Sequence, residues 1–259
     1  VLAELNALSR DGYVLVPAVF PADTVAAVRL ALDAALLQYA DLHQQLGYTN
    51  AEQGGAHHVL AKGGVFLETL SFLSRLDWLT HYLRSKLVIN SYGGFDNRRD
   101  RKLYVRNIHR DIRFFSTERP LMLNLLVMID DFTIHNGATH LLPGSHRQEQ
   151  QPDDALFYAR AERAVGRSGD LLVFDSRLWH AAGHNETDGS RRALTITLTS
   201  PFFKPQFDYC RALGDSQCQA CSDEVKQLLG YYARIPATLS EWYQPADKRF
   251  YRGDQDHVT

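Results

Sequence analysis

Cysteine is scarce in this chain, and where it occurs removes two readings at once. Three of 259 residues are cysteine, Cys210, Cys218 and Cys221, an odd number confined to one segment. They cannot form the disulfide framework of a small secreted domain. Cys218 and Cys221 have C-x-x-C spacing, but a structural zinc site wants four ligands, and no second such pair or paired histidine stands nearby. The three read as free thiols. Charge of one sign is lacking too: 28 Lys and Arg face 30 Asp and Glu, for a net charge of −2. Nothing global therefore points to nucleic acid or a membrane surface as partner. No apolar run reaches transmembrane length and no signal-peptide pattern opens the chain, so the reading is a soluble cytoplasmic protein. Repeats, low-complexity tracts and a glycine-rich phosphate loop are absent as well.

What is present suffices for a full core. Hydrophobic residues make up 45% of the chain, and one domain of this size is the economical expectation, with a helical part over about 1–88, a β core over about 89–205 and a C-terminal extension over about 206–259. Pro21 followed by Val25, Val28, Leu32 and Ala35 predicts an amphipathic helix from about 22 to 38. Phe66, Leu70, Leu73 and Leu76 place a second helical region over about 66–86. Between them lies a glycine-flanked segment whose His57 and His58 read as a solvated loop pair.

The most informative stretch is Asn107-Ile108-His109-Arg110-Asp111, answered further on by Leu178-Trp179-His180. Two imidazoles and one carboxylate can occupy one face of an octahedral Fe(II) and leave three positions open. The run from Leu103 to Phe115 is rich in strand-forming residues, and on a strand i and i+2 project together, so His109 and Asp111 are expected to grip a metal from one strand. By the same phase Asn107 joins them. Leu171–Phe174 reads as a short apolar strand after the Ser168-Gly169-Asp170 turn, with His180 near the start of the next one. Alone, His-x-Asp is a weak signal, and a competing His184-x-Glu186 exists in a run of loop composition.

Arg191, eleven positions after His180, opens an alternating run to Thr199. Arg191, Ala193, Thr195, Thr197 and Thr199 share one face, and Arg192, Leu194, Ile196 and Leu198 the other. A polar face led by a guanidinium fork suits a cavity wall that binds a carboxylate; the plain alternative is a half-buried strand with a surface arginine. In Leu121–Ile129 the lone polar residue, Asn124, lies opposite the face of Leu121, Leu123, Leu125, Val127 and Ile129, so it is expected to look into the site, where a buried amide needs partners. His135, His140 and His146 lack a nearby carboxylate and read as structural. The basic run Arg98-Arg99-Asp100-Arg101-Lys102, with Arg106, Arg110 and Arg113, invites an anionic substrate, but Arg106 and Arg110 are out of phase with His109, and a solvated face is the better reading.

The chain resembles the phytanoyl-CoA dioxygenase family of Fe(II)/2-oxoglutarate oxygenases. The pieces that carry the resemblance are Leu8–Pro17, His109-Arg110-Asp111, Asn136–His146, Gly169–Phe174, and Trp179–Asn185 followed by Arg191. The resemblance implies a mainly β fold with flanking helices, a double-stranded β-helix of the jelly-roll or cupin type. It implies His109, Asp111 and His180 as iron ligands and Arg191 as the cosubstrate arginine; strand phase adds Asn124, Asn107 and Thr195 as candidate cosubstrate contacts, structural hydrogen bonding within the barrel being the alternative for the two asparagines. Fe(II), 2-oxoglutarate and O2 would serve to hydroxylate an unactivated C–H bond of a small molecule, releasing succinate and CO2. Where the family commonly has Gly-Ser after the distal histidine, this chain has Ala181-Ala182. A cupin-like metal-binding protein without turnover and a zinc hydrolase with the same triad remain as alternatives, and the oligomeric state stays undetermined.

Overall fold

The computed structural model describes residues 1–48, 54–101, 103–112 and 114–255. Among the described residues, nine strands form two antiparallel sheets: β1 (Tyr13–Val16), β2 (Gly55–Ala56), β3 (Val88–Asp96), β4 (Met122–Met128), β5 (His140–Leu141), β6 (Glu162–Arg163), β7 (Leu171–Asp175), β8 (His180–Ala181) and β9 (Arg192–Thr199). The larger sheet runs β1-β7-β4-β9-β3-β2 and the smaller β6-β5-β8. This is the sheet-rich jelly-roll layout with flanking helices that the sequence predicts.

Alternation along the central strands decides which face goes where. In β4, Leu123, Leu125 and Val127 turn to the same side as Leu194, Ile196 and Leu198 of β9, and all six join the main apolar cluster. Two helices cover that face: α1 (Leu2–Asp11) and α2 (Ala22–Gln45), the latter burying Val25, Val28, Leu32 and Ala35. The helix is longer than the expected 22–38, because the chain beyond Leu37 carries good helix formers and no breaker before Gly47. On the opposite face Leu126, Met128, Leu172, Phe174 and Ala193 pack against Phe132, Ala138 and Leu141, sealing the space between the sheets.

Three expectations change. The region 66–86 is three short helices, Val65–Glu68, Leu70–Leu73 and Trp78–Leu83. Hydroxyls of Thr69, Ser71, Ser74 and Thr80 bond to carbonyls three residues back and compete with the helical ladder. The part of the chain read as helical also supplies two strands: β1 pairs with β7 and β2 with β3. Finally, the described residues of the run from Leu103 to Phe115 form no strand: they hold a 3-10 turn at Tyr104–Arg106 and one bridge, from His109 to His180 in the two-residue β8. Lys102 and Arg113 of the basic stretch lie outside the described residues.

Candidate metal and cosubstrate site

His109 and His180 face each other as an antiparallel bridge, exchanging N–H···O bonds of 3.0 and 2.9 Å. Directly opposed residues of such a pair project to the same side, and the two imidazole centroids stand 4.2 Å apart. Asp111 follows at a bend, its N–H held by the carbonyl of Ser176 at 3.0 Å. Its carboxylate lies 3.4 Å from His109 Nε2 and 3.7 Å from His180 Nε2. One donor atom from each of the three lies within 4.8 Å of the others. The expected pairing of His109 with Asp111 is thus reached through a bridge and a bend.

The backbone sets the chemistry of both imidazoles. His109 Nδ1 meets the carbonyl of Asn107 at 2.7 Å and His180 Nδ1 that of Leu178 at 2.9 Å. With Nδ1 donating to those oxygens, Nε2 of each ring carries the lone pair a metal takes. Burial pushes the pKa of His180 down to about 4 against the pull of Asp111, which keeps the ring neutral at neutral pH. For Asp111 burial works the other way, but His180, His109 and the Asn124 amide outweigh it and hold the carboxyl below its usual value. The exposed part of this carboxylate opens onto the cavity described below.

Asn124 of β4 donates to Asp111 Oδ2 at 2.6 Å, and its own Oδ1, buried, has no hydrogen-bond partner among the described residues. A cavity of about 350 Å³ begins here, and His109, Asp111, His180, Asn124, Thr139, Phe174 and Thr195 all border it. Arg191 stands just before β9 and is fully buried. Its guanidinium lies over the rings of Phe132 at 4.4 Å and Phe95, a wall residue, at 5.1 Å. Among the described residues, none of its three side-chain nitrogens has a hydrogen-bond partner. Burial, partly offset by Asp96, pushes its pKa down to about 9, so it remains a cation at neutral pH. An enclosed cation without acceptors is costly, and a carboxylate is the group whose geometry matches the fork. This donor set fits a divalent metal beside a dicarboxylate.

The cavity brings together His109, Asp111, His180, Asn124 and Thr195; Arg191 is not among the residues that line it and adjoins it through the wall residue Phe95. Asn107 stands apart: its side chain is exposed and outside the cavity lining, and its contribution is the carbonyl that orients His109. The rival His184 and Glu186 are both exposed, and Glu186 approaches His135 instead. Ala182 borders the cavity, and its N–H donates to the carbonyl of Val105 at 2.7 Å. His57 and His58, expected in solvent, are part of the cavity wall, because β2 lies along β3 and carries them over the site.

Sequence reasoning missed the clamp that supports the His-Asp-His cluster. Arg177 holds Asp175 through two hydrogen bonds of 2.9 and 2.7 Å, with both side chains buried, and reaches the carbonyl of Ser116 at 2.6 Å. Tyr82 adds a bond to Asp175 at 2.8 Å. This fixes the turn whose Ser176 carbonyl holds Asp111 and whose Leu178 carbonyl orients His180. The signal was available: an Asp-x-Arg between an apolar strand and the distal histidine.

Comparison with known proteins identifies the family and the fold. The profile of the phytanoyl-CoA dioxygenase (PhyH) family matches residues 8–193. An uncharacterized protein of Mycobacterium tuberculosis, Rv1501, is 36% identical over 195 residues, covering 73% of this chain and 70% of that protein. Dioxygenase cdmA of Talaromyces verruculosus is 26% identical over 257 residues, covering 89% and 83%. Among solved structures, AviO1 from Streptomyces viridochromogenes superposes with a TM-score of 0.58 at 22% identity, over 79% of this chain and 96% of that one. The non-heme alpha ketoglutarate dependent carbocyclase SnoK from nogalamycin biosynthesis has the same score at 19% identity, over 76% and 83%.

Proposed function

The chain belongs to the phytanoyl-CoA dioxygenase family, and from that premise we propose that it is an Fe(II)- and 2-oxoglutarate-dependent dioxygenase that hydroxylates an unactivated C–H bond of a small molecule. The observation that carries the reading is the pairing of a His-Asp-His cluster with an enclosed arginine that has no acceptor of its own among the described residues. His109, Asp111 and His180 would hold the iron, and Arg191 would take the far carboxylate of 2-oxoglutarate. When bound, iron and cosubstrate supply the oxidising chemistry, with dioxygen split between succinate and product. The protein's share is placement. The carbonyls of Asn107 and Leu178 keep both imidazoles aimed, the Asn124 amide holds one Asp111 oxygen, and Phe132 with Phe95 keeps water from Arg191. Thr195 on the wall and the unsatisfied Asn124 Oδ1 are further cosubstrate contacts.

The zinc-hydrolase alternative uses the same triad but leaves Arg191 without a role, and a metal-binding protein without turnover gives no reason to enclose a cation behind the cavity wall. The test is reconstitution with Fe(II) under argon, then addition of 2-oxoglutarate and air. Succinate formation that needs both iron and dioxygen is expected. Its absence, with hydrolytic activity appearing on Zn²⁺ loading, would replace the reading with the hydrolase.

A further inference from the structure

Between the distal histidine and Arg191 the chain makes a loop, 183–190, and two asparagines that the site itself leaves unused hold it in place. Asn97 and Asn185 are both fully buried. Asn97 follows β3 and stands opposite Arg191: its N–H donates to the Arg191 carbonyl at 3.0 Å, and its carbonyl accepts from the Arg191 N–H at 3.3 Å. This adds one rung to the ladder beyond Asp96 and Arg192, where β3 and β9 end. Residues opposed in this way project their side chains to the same side. The Asn97 amide then joins two further segments. Its Nδ2 donates to the carbonyl of Gly183, three residues after His180, at 3.0 Å, and its Oδ1 accepts from Arg106, three residues before His109, at 2.9 Å.

Asn185 completes the joint. Its Nδ2 donates to the Asn97 carbonyl at 2.7 Å and to the Gly189 carbonyl at 2.9 Å, while its Oδ1 accepts from the Thr187 N–H at 2.9 Å and the Thr187 hydroxyl at 2.7 Å. Two donors and two lone pairs are all that an amide has, and all four are used. Glycine makes room for this closure. A Cβ on Gly137 would collide with the Gly183 carbonyl and stand 2.7 Å from Asn97 Nδ2, and one on Gly183 would stand 2.6 Å from the Ala138 carbonyl. The loop itself, His-Asn-Glu-Thr-Asp-Gly-Ser over 184–190, has a composition that fixes no single path on its own. His180 has separate supports, the bridge to His109 and the Leu178 carbonyl, and neither passes through Asn185. The place of the arginine can therefore be disturbed without disturbing the metal ligands.

We propose that Asn97 and Asn185 are positioning residues for the cosubstrate: their hydrogen bonds set where Arg191 stands relative to the His-Asp-His cluster, and with it the affinity for 2-oxoglutarate. This rests on the oxygenase reading above, in which the cluster holds the iron and Arg191 takes the far carboxylate. A ligand gripped at both ends is sensitive to the span between the grips, and a misplacement of about 1 Å can cost about a hundredfold.

Binding without turnover tests this. Wild type and Asn185→Ala are titrated by calorimetry under argon, first with Fe(II) and then, iron-loaded, with 2-oxoglutarate. Asn185→Ala should weaken 2-oxoglutarate by about tenfold or more and leave Fe(II) affinity within about twofold, a split that a general loss of structure would not produce. Hydrogen exchange of the ligand-free proteins should show the cause: faster exchange over 183–192 by about tenfold, with 178–182 as in the wild type. Unchanged 2-oxoglutarate affinity, iron and 2-oxoglutarate weakened in equal measure, or unchanged exchange over 183–192 would each overturn the proposal. If Asn185→Ala does not fold, Thr187→Val decides, since it removes one of the two donors to Asn185 Oδ1. That variant should weaken 2-oxoglutarate by about two- to fivefold with iron unchanged, and wild-type affinity in it overturns the proposal. Failure of the wild type to take up iron and 2-oxoglutarate is a separate result that sinks the oxygenase reading itself.

Discussion

Arg191 carries the sharpest consequence at the scale of single residues, because its burial is unfavourable until a carboxylate arrives. Replacing it by Met should remove an enclosed charge and raise the stability of the ligand-free protein by about 1–4 kcal/mol, while abolishing the gain in Tm that 2-oxoglutarate gives the wild type. A thermal melt of both proteins with and without 2-oxoglutarate checks this, and an undiminished ligand-induced shift in Arg191→Met would remove the arginine from the cosubstrate site. Arg192 is no substitute, being tied to Asp33 at 2.6 Å and Asp130 at 3.0 Å on the helix-covered face. His109→Ala and His180→Ala each delete one of three ligands and should lose stoichiometric Fe(II) while keeping their far-UV circular dichroism. Metal analysis after desalting reads the outcome, and full iron content in both would refute the triad.

Elements rather than residues determine how well that triad is held. The turn after β7 is locked by Asp175 and Arg177, and truncating one partner leaves the other charged and buried. Arg177→Ala should cost about 3–5 kcal/mol of stability and weaken iron binding at temperatures where the protein is still folded. A denaturant melt paired with an iron titration separates the two effects, and wild-type iron affinity in the folded variant would show that the clamp serves stability alone. The small sheet carries a pH response. Burial, with Arg163 adding to it, pushes the pKa of His140 in β5 down to about 4. The unfolded chain therefore takes up this proton near its ordinary value while the folded chain does not. The stability involved is intact above about pH 6.5 and drains away as pH falls from there to about 4. His140→Gln should lose less Tm than the wild type between pH 7 and 5, and parallel curves would exclude His140 as the cause.

Across the whole molecule, the segment after β9 is part of the core. Tyr209, Cys210, Leu213, Val225, Leu228 and Leu229 are all buried in the main apolar cluster. Burying one large apolar side chain is worth about 1.5–3 kcal/mol, so losing this set exceeds much of the ~5–15 kcal/mol by which a domain is stable. A chain ending at residue 205 should not fold cooperatively, as circular dichroism and proteolysis would report. A sharp thermal transition in it would show that the tail only decorates the sheet. No helix of the described residues is long and apolar enough to cross a membrane.

Much of the site is written in local pattern, because which face a side chain takes depends on periodicity alone. The alternation through β4 and β9 set Leu123, Leu125, Leu194 and Ile196 against the helices and Asn124 and Thr195 toward the cavity, and the helical spacing from Val25 to Ala35 chose the buried side of α2. The spacing of His109, Asp111, His180 and Arg191 likewise depends on residue types and short offsets. What no local pattern holds is which distant segments meet. The run 103–115 has strand-forming residues, yet its described residues bridge at one point, to the two-residue β8. Asn107 therefore falls outside the cavity that strand phase would have given it. Only tertiary packing stretched β2 along β3, bringing His57 and His58 into the wall of the cavity that the His-Asp-His cluster borders, and seated Phe207 and Tyr209 behind His58. The same packing closed Phe95 and Phe132 around Arg191: the sequence determined that an arginine stands at this position, and the fold decided that it is buried without a hydrogen-bond partner among the described residues.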